Sequence, residues 1–326
     1  MEGIRLCFPQ LPNASCRRPD PPQPETMLAY LLLYVVSALT AALNLLVIIS
    51  ISHFRQLHTP TNFLLLSLAV SDFFMGLLVM PVEILMTQVC WMLGDLMCAA
   101  YYLLPFVIIS ASVGNMVLIS VDRYVAICDP LHYPTRITKK KIKICVCLCW
   151  TYSVFINVFI LYDHMKIPGK YNSCLGECLV GIAGDVDLVL GFVIPIAIII
   201  VLYLRIFVVA VSHARAMRPK VVTVTVTIGR SKNVRARRSE MKAARTLMVV
   251  VTVFLVCYCP YYAATLTGRT IMIGSSTEIY MVFVMYFNSC LNPVIYAFFY
   301  PWFRKCLRLI IALHILKPGS CETNIL

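Results

Sequence analysis

Cys98-Ala-Ala-Tyr-Tyr-Leu-Leu-Pro-Phe-Val-Ile-Ile-Ser-Ala-Ser-Val-Gly-Asn-Met-Val-Leu-Ile-Ser-Val-Asp-Arg-Tyr-Val-Ala126 holds no charged side chain between Cys98 and Asp122. At ~1.5 Å rise per residue, a helix of this length crosses a hydrocarbon core ~30 Å thick. Yet Ser110, Ser112, Asn115 and Ser120 would all lie at membrane depth. Each of these polar groups needs a partner inside a bundle, because lipid offers none. The stretch therefore reads as a central transmembrane helix with others packed around it.

Composition agrees. A chain of 326 residues that is 60% hydrophobic and 13% charged, with mean hydropathy +0.83, is a polytopic membrane protein and excludes a soluble globular domain. The net charge of +13 would suggest nucleic acid in a soluble protein; in a membrane protein the question is where Lys and Arg fall. Of the fifteen cysteines, Cys145, Cys147, Cys149, Cys257, Cys259 and Cys290 lie inside apolar runs and read as small buried thiols, not as metal ligands or disulfides.

Residues 1–26 are polar and proline-rich, carry Cys7, Cys16 and the sequon Asn13-Ala-Ser15, and lack the apolar core of a cleaved signal peptide. Asn13 is a glycosylation acceptor if this tail is lumenal. Seven apolar spans follow, near 27–52, 61–88, 97–121, 145–162, 187–212, 246–267 and 276–300. The loops after the first, third and fifth spans and the C-terminal tail hold most of the Lys and Arg, among them Arg136, Lys139, Lys140, Lys141, Arg235, Arg237 and Arg238. The positive-inside bias then puts the N-terminus outside and the C-terminus in the cytosol, and no nucleic-acid partner is needed to explain the charge. No inverted repeat with paired broken helices appears, which weakens a transporter reading.

Three groups carry chemistry. Asp72, in Leu68-Ala-Val-Ser-Asp72, is a carboxylate in mid-span. It costs ~2.5 to 3.5 kcal/mol unless it faces a polar bundle interior. Its candidate partners are Ser112, Asn288, Ser289 and Asn292, and a protonated carboxyl in a hydrogen-bond network is the alternative to an ion. Arg123 closes the third span at the cytosolic edge, with Glu240 before the sixth span as an ionic partner across the bundle. In Asn288-Ser-Cys-Leu-Asn292-Pro293-Val-Ile-Tyr296, Pro293 removes a helix hydrogen bond and makes a hinge at which Tyr296 can swing.

The Asp122-Arg123-Tyr124-Val-Ala-Ile-Cys128 and Asn292-Pro293-x-x-Tyr296 motifs resemble those of rhodopsin-like G-protein-coupled receptors. Asn288-Ser-x-x-Asn-Pro-x-x-Tyr296 followed by Tyr300-x-Trp302-Phe303 is similar to the signature of the trace amine-associated receptors, fish olfactory members included. The likeness covers nearly the whole chain, through Asn44, Trp91-x-x-Gly94, Trp150, Cys174-Leu-Gly-Glu-Cys178, Pro195 and Phe254-x-x-Cys257-x-Cys-Pro260. It implies an all-α membrane protein: a seven-transmembrane-helix bundle over 27–300, after the extracellular tail, and a short amphipathic eighth helix with a cytoplasmic tail over 301–326. It also implies Cys98 bonded to Cys178 and Cys174 bonded to a tail cysteine, Cys16 or Cys7, leaving one tail cysteine over. It implies a sodium pocket at Asp72, Ser112, Asn288 and Asn292, with no other cofactor. The Arg123 latch would open to a G protein, and arrestin and membrane lipid are further partners.

Two departures stand out. Most amine receptors place the ligand-binding aspartate eighteen residues before the motif arginine, where this chain has Pro105. Tyr258 stands where most of the class has tryptophan. An amine still requires a counter-ion, and Asp187, eight residues before Pro195, lies ~12 Å of helix nearer the extracellular mouth. Some members of the family carry an aspartate there; the alternative is a wetted helix-start residue. Asp185, about 200° round the helix from Asp187, is left to the loop edge. Tyr258, Tyr261, Tyr262 and Tyr286 would supply aromatic walls, with Phe106 and Ile109 beside them. Glu83 would hold the far end of a diamine. The expected function is a plasma-membrane receptor, at olfactory cilia in a fish-type member, that senses amines and raises cAMP through a stimulatory G protein. The rivals are a receptor for a non-amine and, from another class, a transporter. No enzyme motif such as His-Glu-x-x-His, Gly-x-Ser-x-Gly or a P-loop is present.

Overall fold

The computed structural model describes residues 5–19, 24–167, 174–179, 186–216, 248–263 and 276–325. The apolar runs fold as α1 (Pro24–His53), α2 (Pro60–Met86), α3 (Gly94–Cys128), α4 (Lys139–Ile160), α5 (Ile194–Ala216), α6 (Met248–Ala263) and α7 (Ser276–Phe299). Six of them are long and apolar enough to cross a membrane, and α6 is a shorter apolar helix over its described residues. Together with α8 (Pro301–Ile311) they form the seven-helix bundle and its C-terminal helix.

Local signals set the helix ends. Thr59 caps α2 by accepting from the Asn62 N–H, with Pro60 in the first turn, and Thr138 caps α4 by accepting from the Lys141 N–H. Such caps contribute about 0.5 to 2 kcal/mol each. The Thr138 cap, and the good helix propensity of Lys139, Lys140 and Lys141, start α4 ahead of the apolar run at 145. Likewise α3 runs on from the apolar span through Asp122 and Arg123 to Cys128.

α3 is the central helix, packed against α2, α4 and α5, while α1 packs on α2 and α7. Hydrogen bonds buried between helices tie the bundle. The Trp150 indole donates to Ser67 Oγ at 3.1 Å, Asn44 Nδ2 to the Ser289 carbonyl at 2.9 Å, and Asn157 Nδ2 to the Phe106 carbonyl at 3.3 Å. In lipid such bonds average about 0.6 kcal/mol, so close packing carries most of the association. The closest approach of a described glycine to another helix's backbone is at Gly76, where an added Cβ would lie 2.6 Å from the Ala41 backbone N. Gly76 sits in a π-helical turn, Met75–Val79, and its carbonyl accepts from Ser37 Oγ of α1 at 2.7 Å. The outward faces of α4 and α5 present Phe155, Phe159, Phe207 and Val208, exposed apolar side chains of the kind a bilayer solvates.

α8 turns Trp302, Phe303 and Cys306 inward and leaves Arg304, Lys305 and Arg308 exposed. Arg304 Nη1 donates to the carbonyls of Ala297 and Phe298 at 2.9 and 2.8 Å, groups the end of α7 would otherwise leave unpaired. Burial pushes the Cys306 thiol up to about 11. The chain then returns to α1. Ser320 Oγ meets His53 Nε2 at 2.9 Å, and the buried Ile325 donates its N–H to Gln56 Oε1 at 2.9 Å.

Candidate ligand site and switch

Three disulfides build the outer cap: Cys98–Cys178, Cys16–Cys174 and Cys7–Cys90, with Cα separations of 5.7, 5.1 and 5.7 Å. The third corrects the expectation that one tail cysteine is left over, because Cys7 is bonded to the loop between α2 and α3. The tail folds back on itself, Cys7 N–H donating to the Cys16 carbonyl at 2.9 Å, and joins the loop before α5 through Cys16 N–H and the Leu175 carbonyl at 2.9 Å. Gly176 closes the knot at φ +102°, where a Cβ would lie 2.7 Å from that of Cys7. Only glycine suits both that backbone conformation and that contact. Asn13 is exposed on the tail, and Ser15 Oγ accepts from the Phe8 N–H at 2.8 Å.

Beneath the cap lies a cavity of about 40 Å³ between α3, α4, α5, α6 and α7. Of the sequence-predicted residues it brings together Phe106, Ile109, Tyr261 and Tyr262, adding Asn157 and Tyr152 from α4, Leu190 and Gly191 from the turn before α5, and Met285 from α7. Phe192 stacks on Tyr262 at 4.2 Å, and Tyr261 meets Tyr262 edge-on at 5.2 Å. Asn157 was missed, although an amide inside the fourth apolar span is itself the signal of an inward-facing group. Asp187 begins the π-helical turn Asp187–Val193 that supplies Leu190 and Gly191; its side chain lies outside the described residues. Tyr258 and Tyr286 do not line this cavity but are buried, 2% and 5% exposed. Glu83 is half-buried on α2, faces the Tyr101 phenol and does not line this cavity.

Asp72, 1% exposed, lies deeper, and its Oδ2 accepts from Asn292 Nδ2 at 2.8 Å. Asp72 Oδ1 and Asn292 Oδ1 have no hydrogen-bond partner among the described residues, nor do Ser112 Oγ, both amide atoms of Asn288 and Tyr296 Oη, all buried on α3 and α7. A site dense in unpaired oxygens suits a hard cation or ordered water, since dry burial of so many polar groups is costly.

At the end of α3 far from the disulfide cap Arg123, 6% exposed, is held by its neighbour. Its Nε donates to Asp122 Oδ2 at 2.9 Å, and its Nη2 donates to Asp122 Oδ2 and to Thr61 Oγ1. Thr61 Oγ1 donates to Asp122 Oδ2 at 2.9 Å and Tyr133 Oη donates to Asp122 Oδ1 at 2.8 Å. Thr61 and Tyr133 were missed because one lies a whole helix away and the other in the loop after α3. Tyr124 is half-buried against the core, and Pro293 and Tyr296 are buried on α7. Glu240 lies outside the described residues.

The comparisons with known proteins agree with this architecture. Residues 43–296 match the family described as 7 transmembrane receptor (rhodopsin family). The chain is 34% identical to trace amine-associated receptor 4 of Mus musculus over 333 residues, covering 99% of this chain and 95% of that protein. It is 35% identical to trace amine-associated receptor 13c of Danio rerio, covering 98% and 96%, and 36% identical to trace amine-associated receptor 7a of Mus musculus, covering 99% and 92%. These are receptors and not enzymes. With its seven-helix bundle, its Asp122-Arg123-Tyr124 motif and this near full-length likeness, the chain belongs to the rhodopsin-like G-protein-coupled receptors and, within them, to the trace amine-associated receptor family.

Proposed function

We propose that this receptor binds small amines at its extracellular side and signals through a stimulatory G protein, from the plasma membrane of olfactory cilia, with its N-terminus outside and glycosylated at Asn13. The observation that carries the reading is the aromatic cavity under the disulfide cap, lined by Tyr261 and Tyr262, one helical turn below Asp187. An ammonium entering it loses much of its hydration and must find a carboxylate and π-faces in exchange. Pro105 offers no charge, so Asp187 is the counter-ion, and Glu83, beside Tyr101 and in the field of Tyr286, sets preference for a second amino group.

An amine panel read out by cAMP identifies the agonist. Asp187→Asn then removes the charge and keeps the shape. Breaking a buried charge pair costs ~3 to 5 kcal/mol, a loss of more than a hundredfold in potency, whereas Glu83→Gln costs far less for a monoamine. Unchanged potency in Asp187→Asn, at equal surface expression, favours a non-amine ligand. That second reading draws on one specific observation: among the described residues no acidic side chain lines the cavity.

The Asp72 pocket fits a sodium ion, with Asp72, Ser112, Asn288 and Asn292 as the oxygen donors. A bound cation there would neutralise the buried carboxylate and hold α2, α3 and α7 together.

A further inference from the structure

The polar pocket around Asp72 is built from α2, α3 and α7, yet one aromatic residue of α6 reaches it. Tyr258 is 2% exposed, and its ring lies over Phe254, 4.2 Å between centroids. Its phenol faces the Ser112 hydroxyl and lies in the field of the Asp72 carboxylate. Ser112 Oγ is one of the pocket's unpaired atoms, so the two hydroxyls approach without completing an aligned hydrogen bond. Tyr258 also lies in the field of Tyr286, a buried tyrosine of α7.

We propose that the Tyr258 phenol oxygen is part of the cation site, a neutral oxygen donated by α6 to a monovalent cation held by Asp72. This rests on the sodium reading given above. The chemistry favours it. A hard cation takes several oxygen ligands, and a phenol oxygen has lone pairs to give, whereas an indole presents only an N–H donor and a phenyl ring presents neither. Asp72 Oδ1, Ser112 Oγ and Asn292 Oδ1 are unpaired and ready to share the same ion. With Tyr258 as a ligand, cation binding ties α6 to the three other helices, and the ring stacked on Phe254 also senses whether the pocket is filled.

The test is thermal unfolding of the full-length, detergent-purified receptor with no amine present. Sodium chloride is titrated against N-methylglucamine chloride at constant ionic strength, so that only the cation changes. Wild type is expected to show a saturable, sodium-specific rise in Tm, and Asp72→Asn to lose it. Tyr258→Phe, which removes one oxygen, is expected to raise the half-saturating sodium concentration at least fivefold; Tyr258→Trp, which fills the space without an oxygen ligand, does the same. Half-saturation at the wild-type concentration in either variant overturns the role of Tyr258. A wild type with no sodium-specific rise, or an Asp72→Asn receptor that keeps it, overturns the cation site altogether. Because the readout uses no ligand, either result leaves the amine reading standing.

Discussion

Cys7 and Cys90 are 83 positions apart in sequence and 5.7 Å apart at their Cα atoms, so the distal tail is bonded to the loop between α2 and α3. With the other two bridges in place, this one closes a covalent ring made of residues 7–16, 174–178 and 90–98, 24 in all, through Cys16–Cys174 and Cys178–Cys98. Ring closure of that size restricts the open state by ~3 kcal/mol in the chain-entropy treatment. The double variant Cys7→Ser/Cys90→Ser is expected to reach the surface with a lowered thermal midpoint and an easily proteolysed tail. Peptide mapping without reductant should recover a Cys7–Cys90 cross-linked pair; recovery of Cys90 as a free thiol sinks the assignment.

The second expectation is that the hydrogen bonds between Asp122 and Arg123 act as a lock. Asp122 accepts from Arg123, Thr61 and Tyr133, and hydrogen bonds to a charged group contribute about 1.5 to 3 kcal/mol each. Asp122→Asn weakens the hold on Arg123 and is expected to raise basal signalling at least tenfold, whereas Arg123→Ala abolishes signalling. Glu240→Ala should also raise the basal level if it shares the lock. Second-messenger assays without agonist, at matched surface expression, read all three; an Asp122→Asn receptor as quiet as wild type contradicts the lock.

Tyr133 gives this lock a pH window. Burial pushes its phenol up to about 12, with the Asp122 carboxylate adding to the effect. The folded value lies above the ordinary ~10, so the contribution of Tyr133 is complete below pH ~10 and lost as pH rises towards 12. The phenol therefore stays a donor to Asp122 throughout the physiological range. A phenolate absorbance titration of wild type minus Tyr133→Phe should show one group titrating near 12; a difference titrating near 10 shows the hydroxyl to be solvated.

Two glycines are expected to behave differently. Gly76→Ala drives a Cβ to within 2.6 Å of the Ala41 backbone, which cannot rotate away. Overpacking of this kind costs about 1 to 3 kcal/mol. Gly94→Ala meets nothing within 4 Å and bears only its left-handed backbone, φ +76°, a cost of about 1 to 2 kcal/mol. Thermal melts of the purified variants compare them, with surface expression expected to fall for Gly76→Ala and to hold for Gly94→Ala.

The apolar spans, the inward polar residues of α3 and the motifs around Arg123 and Pro293 were legible in the chain because they are local. Twenty or so apolar residues must become a helix in lipid, and a polar group among them must face inward, whatever the neighbours are. The positive-inside asymmetry, likewise a local count of charges, predicts the orientation. What the chain did not disclose are pairings between distant segments. Cys90 carries no spacing that marks Cys7 as its partner, and Thr61 looks like any first-turn threonine until α2 is set beside α3. Tyr258 reads as a cavity wall until the bundle turns it towards Asp72 and Ser112. Helix formation depends on neighbours a turn away along the chain; which side chains share a pocket depends on the rotation and closeness of whole helices. Those are set by contacts such as Gly76 against Ala41, which only the assembled bundle contains.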